Sequence, residues 1–89
     1  MTLNEVLTQI YDLSNGHINA MDYPKKQFFK NMHHFFEECG SEKFILQITL
    51  PDGEWNCKIT KFQNGEYGYY IPETREQDRH LWRELGVNC

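Results

Sequence analysis

Apolar residues near the start of the chain recur every three or four positions, which is the period of an amphipathic helix. Thr2 and Glu5 stand at the spacing of a capping box, in which each side chain bonds the backbone of the other residue. Asn15-Gly16 supplies a stop, so we predict a first helix over about residues 3–14. Its apolar stripe consists of Leu3, Val6, Leu7, Ile10 and Leu13.

A second helix is predicted after a short linker, His17 to Asp22. Pro24 suits the first helical turn, where a backbone N–H has no partner within the helix, and Gly40 ends the pattern. We expect the apolar stripe of this helix to face the core. The stripe consists of Phe28, Met32, Phe35, Phe36 and Cys39.

From Lys43 onward, apolar and polar residues alternate, which is the pattern of strands with one buried face. Pro51-Asp52-Gly53 marks the turn between the first two strands. A four-residue loop from Pro51 to Glu54 would pair Leu50 with Trp55 and would keep both apolar rows on one face. These rows are Phe44, Leu46 and Ile48 on the first strand and Trp55, Cys57 and Ile59 on the second.

Asn64-Gly65 is a strong signal for a two-residue hairpin turn, which would pair Phe62 with Tyr67 and begin a third strand over about residues 66–71. This register places a second apolar row on the opposite face of the sheet, where it would form a docking patch if helices cover only one face. Two alternatives stay open: a bulge or three-residue loop near Asn64 shifts the register, or the C-terminal helix covers this face. The second row would be Ile45, Phe62, Tyr67, Tyr69 and Ile71.

A third helix is predicted to begin after Thr74, which forms a second capping pattern with Gln77, and to end at Gly86-Val87. The expected fold is therefore α+β, with a three-stranded antiparallel meander packed by helices in the order α-α-β-β-β-α. The apolar stripe of the third helix is Leu81, Trp82 and Leu85.

Composition and charge narrow the function classes. The chain has 89 residues, 39% of them hydrophobic, so we expect one globular domain over residues 1–89. The net charge of −4 disfavours binding to nucleic acid through many phosphates. Three cysteines without close spacing, and no signal-peptide or membrane-span pattern, indicate a soluble cytoplasmic protein. We expect Cys89 to be exposed and without a function.

Charges on the second helix are arranged against its dipole, with lysines near its start and Glu37 and Glu38 near its end. One interpretation is an anion-binding site for a phosphate or for carboxylates of a partner. The alternative is a set of solvated charges that salt screens. The lysines concerned are Lys25, Lys26 and Lys30.

No pattern of catalytic or metal-ligating residues stands out. His33 and His34 are adjacent on a helix and point in different directions, so they cannot form the pair of a zinc-binding helix. The sequence lacks a Cys-x-x-Cys pair, a glycine loop for phosphates and a Gly-x-Ser-x-Gly elbow. We expect no metal, no cofactor and no enzymatic activity. A basic stripe on the last helix, Arg75, Arg79 and Arg83, is neutralised by the adjacent row Glu76, His80 and Glu84.

From Pro24 onward, the predicted order of helix, three strands and helix resembles that of the double-stranded RNA-binding domain. That family has a Lys-rich motif at the start of its second helix. This chain has three acids among six residues there, Glu73-Thr74-Arg75-Glu76-Gln77-Asp78. The resemblance implies RNA binding as an alternative function, and it assigns a role to no residue.

The composition is similar to that of toxin immunity proteins, phage-encoded inhibitors and antitoxins. We therefore expect stoichiometric binding to another protein, and a basic one such as a nuclease or nucleic-acid-binding protein, because complementary charge steers association. A further alternative is a structural protein that forms homodimers or larger homo-oligomers through the aromatic sheet face. The residues expected to contact the partner are Phe62, Tyr67, Tyr69, Lys58, Glu66 and Glu54.

Overall fold

The computed structural model describes residues 1–82 of the chain, without the side chain of Trp82. The first helix, α1, spans Leu3–Ser14, and the predicted capping box closes its start. The Thr2 backbone N–H donates to a Glu5 carboxylate oxygen (3.0 Å), and the Glu5 N–H donates to the Thr2 hydroxyl (3.2 Å). The Thr2 backbone contact, followed by the side-chain contact, lowers the pKa of Glu5. Predictions for Arg83, Glu84, Leu85, Gly86, Val87 and Cys89 lie outside the described residues.

The second helix, α2, spans Lys25–His33 with Pro24 as its N-cap, and it continues as a π-helical turn over His34–Glu38. The residues of the Phe-rich stripe differ in how deeply they are buried. Phe28, Met32 and Phe36 are buried, whereas Phe35 is only half-buried at the edge of the core. The prediction that this stripe faces the core is therefore confirmed for its central residues.

The linker between the first two helices contains two short strands that the sequence analysis missed. β1 (His17–Ile18) and β2 (Met21–Asp22) form a small antiparallel hairpin, and Ile18 also pairs with Ile48. Strands of two residues are too short to produce a detectable period of two. The fold class is confirmed in its coarser form, an α+β domain with three helices, but the antiparallel sheet has five strands rather than three.

The turn between β3 (Lys43–Leu50) and β4 (Gly53–Lys61) is shorter than predicted. Leu50 pairs with Gly53, so the loop consists of Pro51 and Asp52 alone. The prediction of a four-residue loop with Leu50 opposite Trp55 is therefore wrong. Both loops contain an even number of residues, so the apolar rows of β3 and β4 still share one face of the sheet, as expected.

The register of β5 (Tyr67–Tyr70) differs from the prediction by one residue, because Tyr67 pairs with Lys61 and Gly68 with Thr60. A longer connection replaces the two-residue turn: the Phe62 N–H donates to the Glu66 carbonyl (2.8 Å). Both alternatives left open are found: the three-residue loop shifts the register, and the C-terminal helix lies on part of the outer side of the sheet, with Leu81 buried. Tyr67 and Tyr69 consequently join the face of Ile59, and the prediction that they lie opposite the core is wrong.

The five strands lie in the order β2-β1-β3-β4-β5, with helices on both sides. α1 and α2 pack on the face that carries Leu46, Ile48 and Cys57, and these elements form one hydrophobic cluster. We call the other side the outer face. α3 (Arg75–Trp82) lies there, and its Leu81 is buried, as is Ile45 of β3, which points to the outer face. None of the helices within the described part of the chain has the length and hydropathy of a membrane span.

α3 also seals the stretch of β4 that extends beyond β5. β5 pairs with β4 only as far as Lys58, so the next outward-facing backbone groups belong to Asn56 and Glu54. The Asn56 N–H donates to an Asp78 carboxylate oxygen (2.8 Å), and Arg75 donates to the Glu54 carbonyl. The Arg75 guanidinium lies 3.8 Å from the centre of the Trp55 ring. The helix thus covers a strand edge that would otherwise be open to solvent.

The β1–β2 turn holds an alanine in a backbone conformation that favours glycine. Ala20 has a φ of 62°, next to Asn19 at 54°. We expect Ala20→Gly to raise the free energy of unfolding by about 0.5–1 kcal/mol, since relief of the left-handed strain exceeds the added freedom of the unfolded chain. Urea denaturation measures this change.

The matched control is Asn19→Gly at the adjacent position. Asn tolerates the left-handed region, and the Asn19 side chain accepts a hydrogen bond from the Gln47 N–H (3.1 Å). We therefore expect Asn19→Gly to lower the stability. A destabilised Ala20→Gly protein would contradict the assignment of strain at this turn.

Candidate functional site

The residues predicted to contact a partner fall on different faces of the sheet. Tyr67 and Tyr69 lie on the core face, half-buried. The Tyr67 ring packs edge-on against Phe36, with ring centres 5.5 Å apart, and the Tyr69 hydroxyl donates to the Gln9 side chain (2.9 Å). Both tyrosines therefore contribute to the attachment of β5 to the helices, and their contact with a partner stays a prediction.

Phe62 and Tyr70 are the large rings exposed on the outer face, with 51% and 46% of their surface accessible. Strand alternation places Tyr70 and Gly68 of β5 on the outer face. Their cross-strand partners on β4, Lys58 and Thr60, lie on the same face. We call this group the outer-face patch. It consists of Lys58, Thr60, Phe62, Gly68 and Tyr70.

Gly68 allows the Phe62 ring to lie against the backbone of β5. A Cβ atom at this position would stand 3.0 Å from Cε2 of Phe62 and 3.3 Å from Cζ, which is closer than ordinary packing. Because Gly68 has no side chain, the Phe62 ring can lie directly on the backbone of β5. The ring is held on one side by β5 and exposed on the other, which is the form of an aromatic anchor at an interface.

Two shallow cavities adjoin the outer-face patch. One, of about 290 Å³, is lined by residues that include Phe62, Lys61 and Glu42, and the other, of about 230 Å³, lies between Lys58, Tyr70 and α3. The Tyr70 hydroxyl donates to Gln77 of α3 at 3.4 Å. The cavity beside each ring has room for side chains of a partner.

The predicted acidic contacts occupy two other places. The Glu54 carboxylate accepts a hydrogen bond from the Gln47 side chain (3.0 Å) on the outer face near α3. Glu66 closes the loop before β5, and its N–H donates to the Asn64 side chain (3.0 Å). Sequence analysis missed Tyr70, because only the odd number of residues in this loop turns it to the outer face.

The lysines proposed as an anion site are partly engaged elsewhere. The Lys25 ammonium lies 6.0 Å from the centre of the Tyr11 ring and 5.9 Å from that of Phe29, within the range of cation–π attraction. Lys26 is in the first turn of α2, and Lys30 lies in the helix, closer to its end. Anion binding by these three residues stays a prediction.

The acidic residues at the end of the second helix pair with histidines. His33 Nδ1 lies 2.7 Å from Glu37 Oε1, and His34 Nδ1 lies 2.6 Å from Glu38 Oε2. His33 Nε2 also contacts the Asn4 side-chain oxygen at 2.6 Å, which joins this helix to α1. Across residues 1–82, no group of three or more His, Cys, Asp or Glu side chains is arranged to hold a metal ion.

Cys57 is a free thiol in the centre of the core. Burial raises its pKa from an ordinary value of 9.0 to about 12. A thiol that stays protonated and inaccessible at neutral pH is a poor nucleophile and a poor metal ligand. Cys57 therefore belongs to the packing of the sheet.

The arrangement with the chemistry of a binding site is the outer-face patch, in which two exposed rings flank a glycine on an ordered strand. Its neighbours are polar side chains and shallow cavities. Comparisons of the chain with models of protein families, with curated proteins and with solved structures find no match.

Proposed function

We propose that this protein works without catalysis, by stoichiometric binding to another protein through the outer-face patch. The observation that carries the proposal is a pair of half-exposed rings on the outer face: Tyr70 at the end of β5, and Phe62, which directly follows β4 and lies against Gly68 of β5. Exposed aromatic surface is unfavourable in water, and aromatic residues dominate the binding energy of protein interfaces. The mode of action is that of an inhibitor, immunity protein or antitoxin.

The partner is proposed to be basic, such as a nuclease or another nucleic-acid-binding protein. The chain has a net charge of −4, Glu42 lines the cavity beside Phe62, and the Glu66 carbonyl accepts the backbone N–H of Phe62. Opposite net charges accelerate encounter and disfavour wrong partners, while the rings supply the buried contact. A basic partner that normally binds nucleic acid would be blocked stoichiometrically by such a surface.

Affinity capture from the native host lysate tests the proposal. We expect the unmodified chain to retain a basic protein, and Phe62→Ala with Tyr70→Ala to retain at least tenfold less, since each anchor contributes about 1–2 kcal/mol or more. The matched control is Met21→Ala, which removes a side chain that is 48% exposed on β2, at the opposite edge of the sheet.

The same experiment separates the alternatives. Capture that survives the Phe62→Ala, Tyr70→Ala double substitution, or that is lost equally in the control, would contradict the assignment of the patch. Capture that disappears after nuclease treatment of the lysate would indicate RNA binding instead. Recovery of a second copy of the chain alone, with dimers in light scattering, would indicate self-association.

A further inference from the structure

We infer that the open edge of β5, together with the groove between β5 and α1, binds an extended basic segment of a partner protein as an additional strand. This site uses the free edge and the core face of β5, whereas the outer-face patch lies on the opposite face of the sheet. Four observations support the inference: the direction of the backbone groups of β5, the Met1 carbonyl bound at its edge, the groove between β5 and α1, and the distribution of charge around them.

The backbone of β5 offers hydrogen bonds on its free side. Within residues 1–82, β5 is the outermost strand of the sheet, and its pairing with β4 uses the backbone groups of Gly68 and Tyr70. The N–H of Tyr67 points the other way and donates to the Met1 carbonyl (2.7 Å). Tyr69, two residues further, directs its N–H and C=O to the same side. The free edge of β5 therefore already binds one backbone carbonyl, that of Met1. The N–H and C=O of Tyr69 lie at the next position where an added strand would pair.

A groove runs beside this edge. A cavity of about 330 Å³ is lined by Gln9, Asp12, Leu13 and Tyr69. The hydrogen bond between Tyr69 and Gln9 fixes its floor, and Leu13 exposes 48% of its surface along the rim. A strand added to β5 would send alternate side chains toward α1, so apolar residues at every second position would fit the groove.

The charge around this edge selects a basic occupant. One cation approaches β5 from its paired side, since the Lys61 ammonium lies 6.0 Å from the centre of the Tyr67 ring. The two segments that flank the free edge, residues 1–14 and 62–74, contain four carboxylates and no Lys or Arg, whereas the rest of the chain has nine charges of each sign. The whole net charge of −4 therefore resides in these segments. A second copy of the chain would bring the same acidic groups together, which disfavours pairing of two identical edges. The four carboxylates belong to Glu5, Asp12, Glu66 and Glu73.

Synthetic peptides test the site with the full chain. The probe is a capped eight-residue peptide of alternating Lys and Val, compared with its Glu and Val counterpart. We expect the basic peptide to shift the backbone amide signals of Gln9, Leu13 and Tyr67 to Ile71 in nuclear magnetic resonance spectra, and to slow amide exchange at Tyr69. The acidic peptide is expected to bind at least about tenfold more weakly, because like charges oppose it.

Backbone methylation of the peptide tests the strand geometry. Two peptides are compared, one methylated at the backbone nitrogens of the odd residues and one at those of the even residues. In a strand paired with β5, one set of N-methyl groups faces the edge and the other set faces solvent. We expect one methylated peptide to lose at least about tenfold in affinity and the other to bind like the parent peptide. Equal binding of both methylated peptides would overturn the proposal, because it would exclude backbone pairing.

Charge reversal tests the role of the carboxylates near the edge of β5. We expect Asp12→Lys to weaken binding of the basic peptide by about three- to fivefold. The matched control is Asp22→Lys on β2, at the opposite edge of the sheet, where the carboxylate side chain is 96% exposed. Equal weakening by both variants would indicate net charge alone and would overturn the proposal, as would amide shifts confined to other surfaces or protection of Tyr69 by dimerisation.

The two proposals fail separately. The chain that carries Phe62→Ala and Tyr70→Ala is expected to keep its affinity for the basic peptide, even where it loses its partner in the lysate. Loss of peptide binding in that variant would place the peptide on the outer-face patch and would overturn the edge site.

Discussion

Phe36→Ala is expected to lower the free energy of unfolding by about 3–5 kcal/mol, the largest effect among single substitutions proposed for this chain. Phe36 is 1% exposed, lies in the π-helical turn and packs edge-on against Tyr67 of β5. Its removal would leave a cavity between helix and sheet, and it would also remove the aromatic contact that holds the last strand. Urea denaturation followed by tryptophan fluorescence measures the change.

Phe62→Ala is the matched control for the same chemical change. Its ring is half-exposed and contacts mainly the backbone of Gly68, so we expect a loss below about 1 kcal/mol. Because an 89-residue domain can lose its whole stability with Phe36→Ala, Phe36→Leu provides a smaller step, with an expected loss of about 1–2 kcal/mol. Equal losses for Phe36→Ala and Phe62→Ala would contradict the division of aromatic residues into core and binding surface.

Stability is expected to fall at alkaline pH because of Cys57. Burial raises the pKa of this thiol from 9.0 to about 12, so the unfolded chain releases the proton at lower pH than the folded chain. The free energy of unfolding is therefore unaffected below about pH 9 and decreases above it, by about 2–3 kcal/mol at pH 11. Urea midpoints measured at intervals between pH 8 and 11 would follow this decrease.

Cys57→Ala is the control for the alkaline effect. This variant has no thiol at position 57, so its stability should lack the part of the pH dependence that this thiol causes. We expect the difference in stability between the two proteins to change in favour of Cys57→Ala as the pH rises above 9. A constant difference across this range would show that the thiol at position 57 titrates alike in the folded and unfolded chains.

The candidate site could be predicted only in part. The Asn64-Gly65 turn predicts Phe62 on the face opposite the core, and the structure has its ring there, exposed and against Gly68. The Asn-Gly pair predicts a two-residue turn, which would place Tyr67 and Tyr69 on the face opposite to the one they occupy. The observed register instead packs Tyr67 against Phe36 and Tyr69 against Gln9 of α1, and a shift of one residue would turn both side chains to the outer face.

The edge of β4 illustrates a contact that sequence alone does not reveal. In the sequence, Asp78 is one of several acids at the start of the last helix, whereas in the structure its carboxylate accepts the backbone N–H of Asn56, 22 residues away. Such a contact depends on where α3 docks, and that depends on how far β5 extends along β4. The open edge beside α1 was likewise invisible, since it requires the order of strands in the sheet.

The sequence by itself determined the three helices, the two long strands and the shared apolar face of β3 and β4, because these follow from local periods of hydrophobic residues and from capping patterns. The tertiary structure decided the register of β5, the short strands β1 and β2, and the position of α3 on the outer face. The physical reason is that a shift of one residue reverses every side chain of a strand, and only the total burial across the sheet selects between the two registers.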